Sequence, residues 1–144
     1  MRFQLRLRLA LAAAVTGAGL AACTTPQRAL ENRQWSDSFV FRITVAPTPP
    51  RTIEDARYKI VVQDKKTGEP IEMGEGRLFA TSKDGANTRD GLQKGKEVGT
   101  YYARLRYPTT GDWAIALQFR RDSTARLERV DWIQSVNIAT GPGS

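Results

Sequence analysis

The residues able to do chemistry are few in this chain, which contains no histidine and a single cysteine, Cys23. Without histidine, the chain lacks the most common general base and any Ser-His or Cys-His nucleophile arrangement. Its acidic residues are scattered over predicted loops and strand ends, and their spacing sets no pair apart. The sequence therefore predicts that the protein is not an enzyme and that its one reactive thiol is the feature to explain.

Cys23 stands at the end of a segment that is typical of an export signal. Arg2, Arg6 and Arg8 give this segment a positive start without acidic residues. Leu9 to Ala22 then form an apolar stretch that is too short to cross a bilayer comfortably as a helix. The sequence thus predicts a signal peptide that directs the rest of the chain to the cell envelope.

The tetrapeptide Leu20-Ala21-Ala22-Cys23 resembles the bacterial lipobox. The resemblance implies cleavage between Ala22 and Cys23, a thioether between Cys23 and diacylglycerol, and further acylation of the new N-terminus, which together would give a stable anchor. In a Gram-negative host, Thr24 in place of aspartate implies the outer membrane. We expect the anchored domain to face the periplasm. An ordinary secretory signal with an incidental cysteine and a buried N-terminal helix are the alternatives, and Arg6 and Arg8 disfavour the helix.

Cleavage would remove three arginines and no acidic residue, so the formal net charge would fall from +7 to +4. The remaining charge suits solubility and weak attraction to anionic head groups, and it is a poor argument for nucleic acid binding. The predicted organisation is a signal peptide at 1–22, a lipid-anchored flexible tether at 23–36, one domain at 37–140 and a disordered tail at 141–144. With Cys23 lipidated, no thiol would be left for a disulfide.

The predicted domain is all-β. Apolar and polar residues alternate in short runs, which indicates strands with one buried face. The clearest runs are residues 39–45, 58–63, 76–81, 101–107, 113–119 and 130–138. Ser82 to Gly95 is polar and charged, and it is the longest predicted loop. Six or seven evenly spaced strands favour a small immunoglobulin-like β-sandwich, with a small barrel as the alternative.

Three segments resemble the YtkA-like and FixH-like periplasmic domains. They are the strand Gly99–Pro108, the following strand Gly111–Leu117, and the turn Asp64–Ile71. In these segments Gly111 allows the corner, while Trp113 is expected to fill the centre between two sheets with Tyr101 packed across from it. The resemblance implies an architecture, and some members of this group take part in copper handling or oxidase assembly.

Metal binding by the chain itself is not expected. Copper(I) and structural zinc sites draw on Cys, His and Met, and the mature chain would keep only Met73 among these residue types after lipidation of Cys23. Met73 is expected in the core or on an edge. Ser82 to Asn87 offers oxygen ligands in a glycine-containing loop, which is weakly reminiscent of calcium binding. A plain turn is the preferred interpretation, and no cofactor is predicted.

Basic residues fall on the outward side of several predicted strands. If these strands are neighbours, they form a basic face beside Tyr102, and the candidate partner-binding residues are Arg42, Arg104, Arg106 and Arg120. Such a face could bind anionic lipid, lipopolysaccharide or an acidic partner. The other interpretation is a solvated sheet face whose arginines protect an edge strand from aggregation.

Two functions from different classes stay open at this point. The first is a lipid-anchored module with a binding or assembly role, which docks an envelope protein of unknown identity. The second is a YtkA-like or FixH-like accessory protein in metal or oxidase assembly, without a metal site of its own.

Overall fold

The computed structural model describes residues Leu30–Gly141. The predicted signal peptide with Ala22, the first half of the predicted tether with Cys23, and the last three residues lie outside the described residues. Within them, every regular element is a β-strand. The described residues include no helix long and apolar enough to span a membrane.

The described residues form nine strands, and the central ones carry alternating apolar residues on one face. The nine strands are β1 (Asn32–Trp35), β2 (Phe39–Ala46), β3 (Asp55–Asp64), β4 (Glu75–Ser82), β5 (Asn87–Gly91), β6 (Gln93–Lys94), β7 (Thr100–Arg106), β8 (Gly111–Arg120) and β9 (Glu128–Val136). In β2, β3 and β7 the buried side chains recur at every second position. This period places one face of each strand against the core.

The strands form two antiparallel sheets, which confirms the predicted β-sandwich. One sheet has five strands in the order β1-β2-β3-β7-β6, and the other has four in the order β5-β4-β8-β9. The chain crosses between the sheets after β3, β5 and β7. The order β2-β3-β7-β6 facing β5-β4-β8-β9 corresponds to the A-B-E-D and C′-C-F-G arrangement of immunoglobulin-like sandwiches.

Three strands were not predicted, and each is polar. Strand β1 lies inside the segment predicted as a tether, and it pairs with β2, with Trp35 opposite Val40. Strands β5 and β6 lie inside the segment predicted as the long loop, Ser82 to Gly95. All three lie at the margins of the sheets, where they bury few side chains, so apolar alternation could not reveal them.

Two aromatic groups fill opposite ends of the core. At one end, the ring of Phe119 contacts the rings of Phe39, Phe41 and Tyr101 at centroid distances of 5.1, 5.8 and 5.3 Å. At the other end, Trp113 packs edge-to-face on Tyr107 at 5.1 Å. Trp113 is fully buried between the sheets as predicted, but its partner is Tyr107 rather than Tyr101.

Strand β9 forms one margin of the four-stranded sheet. Ile133 lies opposite Ala114 in an uninterrupted register and projects outward with two thirds of its surface exposed. The edge position, rather than a bulge, therefore explains this apolar residue on the outer side. Trp132 faces the core from the margin and is only partly buried.

Candidate functional site

The predicted basic face is divided between the two sheets. Arg42 on β2 and Arg104 and Arg106 on β7 lie on the outer side of the five-stranded sheet. Arg120 lies on β8 in the other sheet, where its Nε donates a hydrogen bond to Glu75 at 2.6 Å. The outward parity of a residue does not reveal which sheet its strand joins. Arg120 therefore does not belong to this face.

Arg42 belongs to a separate cluster around Glu31. Its Nη2 lies 2.9 Å from Glu31, and the Nε of Arg33 donates a hydrogen bond to the same carboxylate at 2.7 Å. The hydrogen bonds from Arg42 and then Arg33 lower the pKa of Glu31 to about 2. Because Arg42 lies opposite Val61, whereas Arg104 lies opposite Arg57, the two arginines are four residues apart along β3. Arg42 is therefore paired and distant from Arg104.

Arg104 lines a shallow cleft where β5 and β6 approach β7. The cleft has a volume of about 580 Å³, and we call it the β5–β7 cleft. It is lined by Arg57, Arg89, Asp90, Gln93, Tyr102, Ala103 and Arg104. These side chains come from both sheets, because the chain passes from one sheet to the other at Leu92, between β5 and β6.

Backbone pairing places the two central arginines of the cleft next to each other. Arg57 on β3 lies directly opposite Arg104 on β7. Two residues away on the same face, Tyr102 has Lys59 opposite on β3 and Gln93 opposite on β6. Like charges directly opposite on a sheet destabilise it by roughly 0.2–1 kcal/mol, so this arrangement has a cost to folding.

Strand β5 closes the free margin of β7 with side chains instead of a strand ladder. The amide of Arg104 donates a hydrogen bond to Oδ2 of Asp90 at 2.8 Å, and the amide of Arg106 donates one to Oγ1 of Thr88 at 3.4 Å. These contacts hold β5 beside β7 and place Arg89 and Asp90 in the cleft wall. They also satisfy donors that a sheet margin would otherwise present to other chains.

The charges in the cleft are incompletely balanced. Arg104 lies 3.6 Å from Asp55, and Lys59 lies 3.5 Å from Glu97 outside the cleft. Among the described residues, Arg57 and Arg89 form no salt bridge. By contrast, the arginines near the β8–β9 turn each pair with an acid; these are Arg120, Arg121, Arg126 and Arg129. Two arginines without a salt bridge to a described residue, Arg57 and Arg89, thus line the β5–β7 cleft.

Three lining residues were missed from the sequence. Arg89, Asp90 and Gln93 lie in the segment predicted as a loop. The residues around them do not alternate between apolar and polar, so the sequence does not assign them to a strand. The alternation of Thr88 and Asp90 with Arg89 was the available signal, but polar alternation alone is weak. Only the crossing between sheets brings these residues to Tyr102 and Arg104.

The predicted calcium alternative corresponds to a tight turn between β4 and β5. The amide of Gly85 donates a hydrogen bond to the carbonyl of Ser82 at 3.1 Å. The amide of Ala86 donates one to Oγ of Ser82 at 3.1 Å. The oxygens of Ser82 thus hold the turn itself. The described part of the chain contains no cluster of three or more His, Cys, Asp or Glu residues that could hold a metal ion.

Met73 is neither buried nor part of a strand. It lies in the link between β3 and β4 with 72% of its surface exposed, and Nζ of Lys94 lies 3.6 Å from its sulfur. The link is held instead by Tyr101, whose hydroxyl donates to the carbonyl of Ile71 at 2.6 Å and accepts from the amide of Gly74 at 2.9 Å. The expectation of a core or edge position for Met73 was therefore wrong.

In comparisons with known proteins, no family model matches the chain, and no curated protein or solved structure shows significant similarity to it. The resemblance to YtkA-like and FixH-like domains accordingly stays a prediction from three segments of the sequence.

Proposed function

We propose that the protein is a lipid-anchored component of the cell envelope that binds an acidic partner protein and catalyses no reaction. The observation that carries this proposal is the group of arginines on the outer side of the five-stranded sheet. Arg57 and Arg106 are exposed there and form no salt bridge with a described residue. Arg104 lies directly opposite Arg57 and two residues before Arg106 on β7, and Asp55 lies opposite Arg106. A surface with excess positive charge favours association with a negatively charged one.

The docking surface in this proposal consists of Arg57, Lys59, Arg104 and Arg106, which we call the β3–β7 basic face. All four side chains project from paired strands, so the partner would meet a rigid surface that needs little ordering on binding. Arg42 and Arg120 are left out, because Arg42 lies four residues from Arg104 along β3 and Arg120 belongs to the other sheet. The partner is an envelope protein with an acidic patch.

The lipid anchor is proposed from the sequence, at Cys23 after cleavage at Ala22. In a Gram-negative host, Thr24 supports an outer-membrane location, and we propose that the domain faces the periplasm. The test is replacement of Cys23 by Ser, followed by membrane fractionation and mass spectrometry of the intact chain. We expect the variant to leave the membrane fraction and to lose the mass of the lipid. Membrane retention with an unchanged mass would contradict the anchor.

The partner is sought by cross-linking the tagged protein in intact cells and identifying cross-linked proteins by mass spectrometry. We expect one dominant envelope protein, and we expect the double variant Arg57→Glu/Arg104→Glu to lose it. The matched control is Arg126→Glu, which reverses an exposed charge near the β8–β9 turn, far along the chain from the basic face. A partner that survives the double variant, or is lost equally in the control, would contradict this face as the docking surface.

A YtkA-like or FixH-like accessory role is the second candidate. Its support is the position of the matching segments, since Gly99 directly precedes β7, Gly111 opens β8, and Asp64 begins the turn after β3. The partner would supply the metal ligands, because the chain contains no histidine. In that case the same cross-linking experiment recovers a metal-handling or oxidase-assembly protein.

A further inference from the structure

We infer that the β5–β7 cleft binds a sugar that carries a phosphate group. The cleft is lined by one aromatic residue, Tyr102, by Asp90 and Gln93, whose side chains are able to bind hydroxyl groups, and by three arginines. Its volume of about 580 Å³ falls in the range of roughly 300–1,000 Å³ that is common for small-molecule sites. This inference goes beyond the proposed function, because it needs neither a partner protein nor a lipid anchor.

Tyr102 provides the surface for the sugar ring. It is 42% exposed, although it lies in the middle of a paired strand between Lys59 and Gln93. One edge of its ring is held by the backbone at Gly95, where an added Cβ would lie 2.6 Å from Cε2. An exposed and positioned aromatic ring can pack against the apolar face of a pyranose, since its body is apolar and its hydroxyl end is polar.

Asp90 and Gln93 provide acceptors for sugar hydroxyl groups. The Oδ2 atom of Asp90 already accepts from the amide of Arg104, which fixes the carboxylate in the cleft wall. Its Oδ1 atom receives no hydrogen bond from the described residues. The exposed amide of Gln93 can both donate and accept. A ligand with several hydroxyl donors would match these groups.

The guanidinium groups of Arg57, Arg89 and Arg104 provide the anion site. A planar guanidinium offers paired donors that match phosphate oxygens, and bonds between ionised groups are about twice as strong as neutral ones. A bound phosphate would also relieve the repulsion between Arg57 and Arg104, which lie directly opposite each other. The pairing that is unfavourable in the free protein would thus become favourable in the complex.

Inside the cleft, beside Asp90, a sugar phosphate fits better than the carboxylates of a peptide do, whereas the β3–β7 basic face proposed for an acidic partner extends outside the cleft to Lys59 and Arg106. A run of carboxylates would meet the fixed negative charge of Asp90, whereas a sugar presents hydroxyl donors to Asp90 and its phosphate to the arginines. The ligand could be a free sugar phosphate or the phosphorylated head group of a glycolipid. The chemistry at the cleft is the same for both.

The test uses the full-length protein purified in detergent, with binding of glucose 6-phosphate measured by isothermal titration calorimetry. Glucose and inorganic phosphate serve as half-ligands. The variants are Arg89→Gln, which removes an exposed charge, and Tyr102→Val, which removes the ring but keeps a residue that favours strands. Arg129→Gln, on the outer side of the other sheet, is the matched control. Thermal unfolding of each variant checks that the fold is kept.

We expect glucose 6-phosphate to bind at least about tenfold more tightly than either half-ligand. Each cleft variant should reduce this affinity by about tenfold or more, while the control variant should not.

Vesicles with a phosphorylated glucosamine glycolipid, compared with phosphatidylglycerol vesicles of equal charge, test whether the ligand is a lipid head group. If the protein prefers the glycolipid vesicles and Tyr102→Val removes this preference, the inference is supported and the ligand is the lipid head group. Equal binding of phosphate and glucose 6-phosphate, insensitivity to Tyr102→Val, or no binding in either arm would overturn it. The cross-linking experiment with Arg57→Glu/Arg104→Glu tests the docking face and does not involve Tyr102. Calorimetry with Tyr102→Val tests the sugar phosphate site. The two proposals can therefore fail separately.

Discussion

Tyr58 and Tyr107 join their hydroxyl groups at 2.5 Å inside the core, and this bond ties β3 to the segment that follows β7. Both side chains are fully buried, and the ring of Tyr107 also packs against Trp113 of the opposite sheet. Burial raises the pKa of Tyr58 to about 12, and it raises the pKa of Tyr107 as well. Both hydroxyls therefore stay neutral over the physiological range, and each depends on the other for its hydrogen bond.

Replacing Tyr107 by Phe is expected to destabilise the domain by about 1–3 kcal/mol, because the Tyr58 hydroxyl would stay buried without its partner. The double variant Tyr58→Phe/Tyr107→Phe should be less destabilised than the sum of the single variants, since both polar groups are gone. The measurement is the free energy of unfolding in urea for all three variants. If the double variant loses as much unfolding free energy as the two single variants together, the two hydroxyls do not act as a pair.

Replacing Phe119 by Ala is expected to destabilise the domain by about 3–5 kcal/mol, because Phe119 is the ring shared by three aromatic neighbours. Small domains are typically stable by about 5–15 kcal/mol, so this variant should unfold well below the wild-type temperature. The control is Phe79→Ala on the outer side of β4, where the ring is only partly buried and lies 5.2 Å from the guanidinium of Arg129. Equal losses in the two variants would contradict the central role of Phe119.

Acid is expected to destabilise the turn after β3. Asp64 accepts hydrogen bonds from the amides of Thr67 and Lys66 and from Arg121, and these contacts lower its pKa from 3.8 to about 2. Because the folded state has the lower pKa, the stabilisation is complete above pH 4 and is lost as the pH falls from about 4 to 2. The variant Asp64→Asn should therefore be less stable at neutral pH, and its difference from the wild type should shrink over that window.

The measurement for Asp64 is urea unfolding between pH 7 and pH 2. Glu69→Gln is the matched control in the same turn, because the carboxylate of Glu69 accepts no hydrogen bond within the described part of the chain. Its stability curve should run parallel to that of the wild type. A constant difference between Asp64→Asn and the wild type down to pH 2 would contradict the assignment.

Removing the side chain of Asp90 is expected to open the margin of β7. In Asp90→Ala the amide of Arg104 loses its acceptor, whereas Asp90→Asn keeps a side-chain oxygen at that position. We expect hydrogen exchange at the Arg104 amide to be faster in Asp90→Ala and close to wild type in Asp90→Asn, with a loss of stability of about 1 kcal/mol in the former. Equal exchange rates in the two variants would show that this bond does not protect the margin.

The sequence predicts the central strands well, because their inward side chains are large and apolar at every second position. Phe39, Phe41 and Ile43 identify β2 in this way, and Trp113 and Ile115 identify β8. Strand β1 has no such signal, since Asn32 and Gln34 face inward at the margin of the sheet, where little core remains to be covered. Local pattern thus finds the strands that build the core and misses those that only pair.

The candidate site could be predicted only in part, for a different physical reason. Alternation correctly places Arg104 and Arg106 on an outer face, but it carries no information about which sheet a strand joins, so it grouped Arg120 with them. Arg89 reaches the cleft only because the chain changes sheets after β5. The change of sheet depends on how all the strands pair in space, so it cannot be read from a short stretch of sequence.

The side chains of Thr88 and Asp90 occupy the hydrogen-bonding positions that another strand would take along β7. This stretch of one flank is thereby closed by the chain itself, while among the described residues the opposite flank ends in the marginal strands β1 and β9. A strand from another molecule could pair with this part of β7 only by displacing β5. Polymers or strand-exchanged dimers that extend from the β1 and β9 flank would leave the cleft open to solvent.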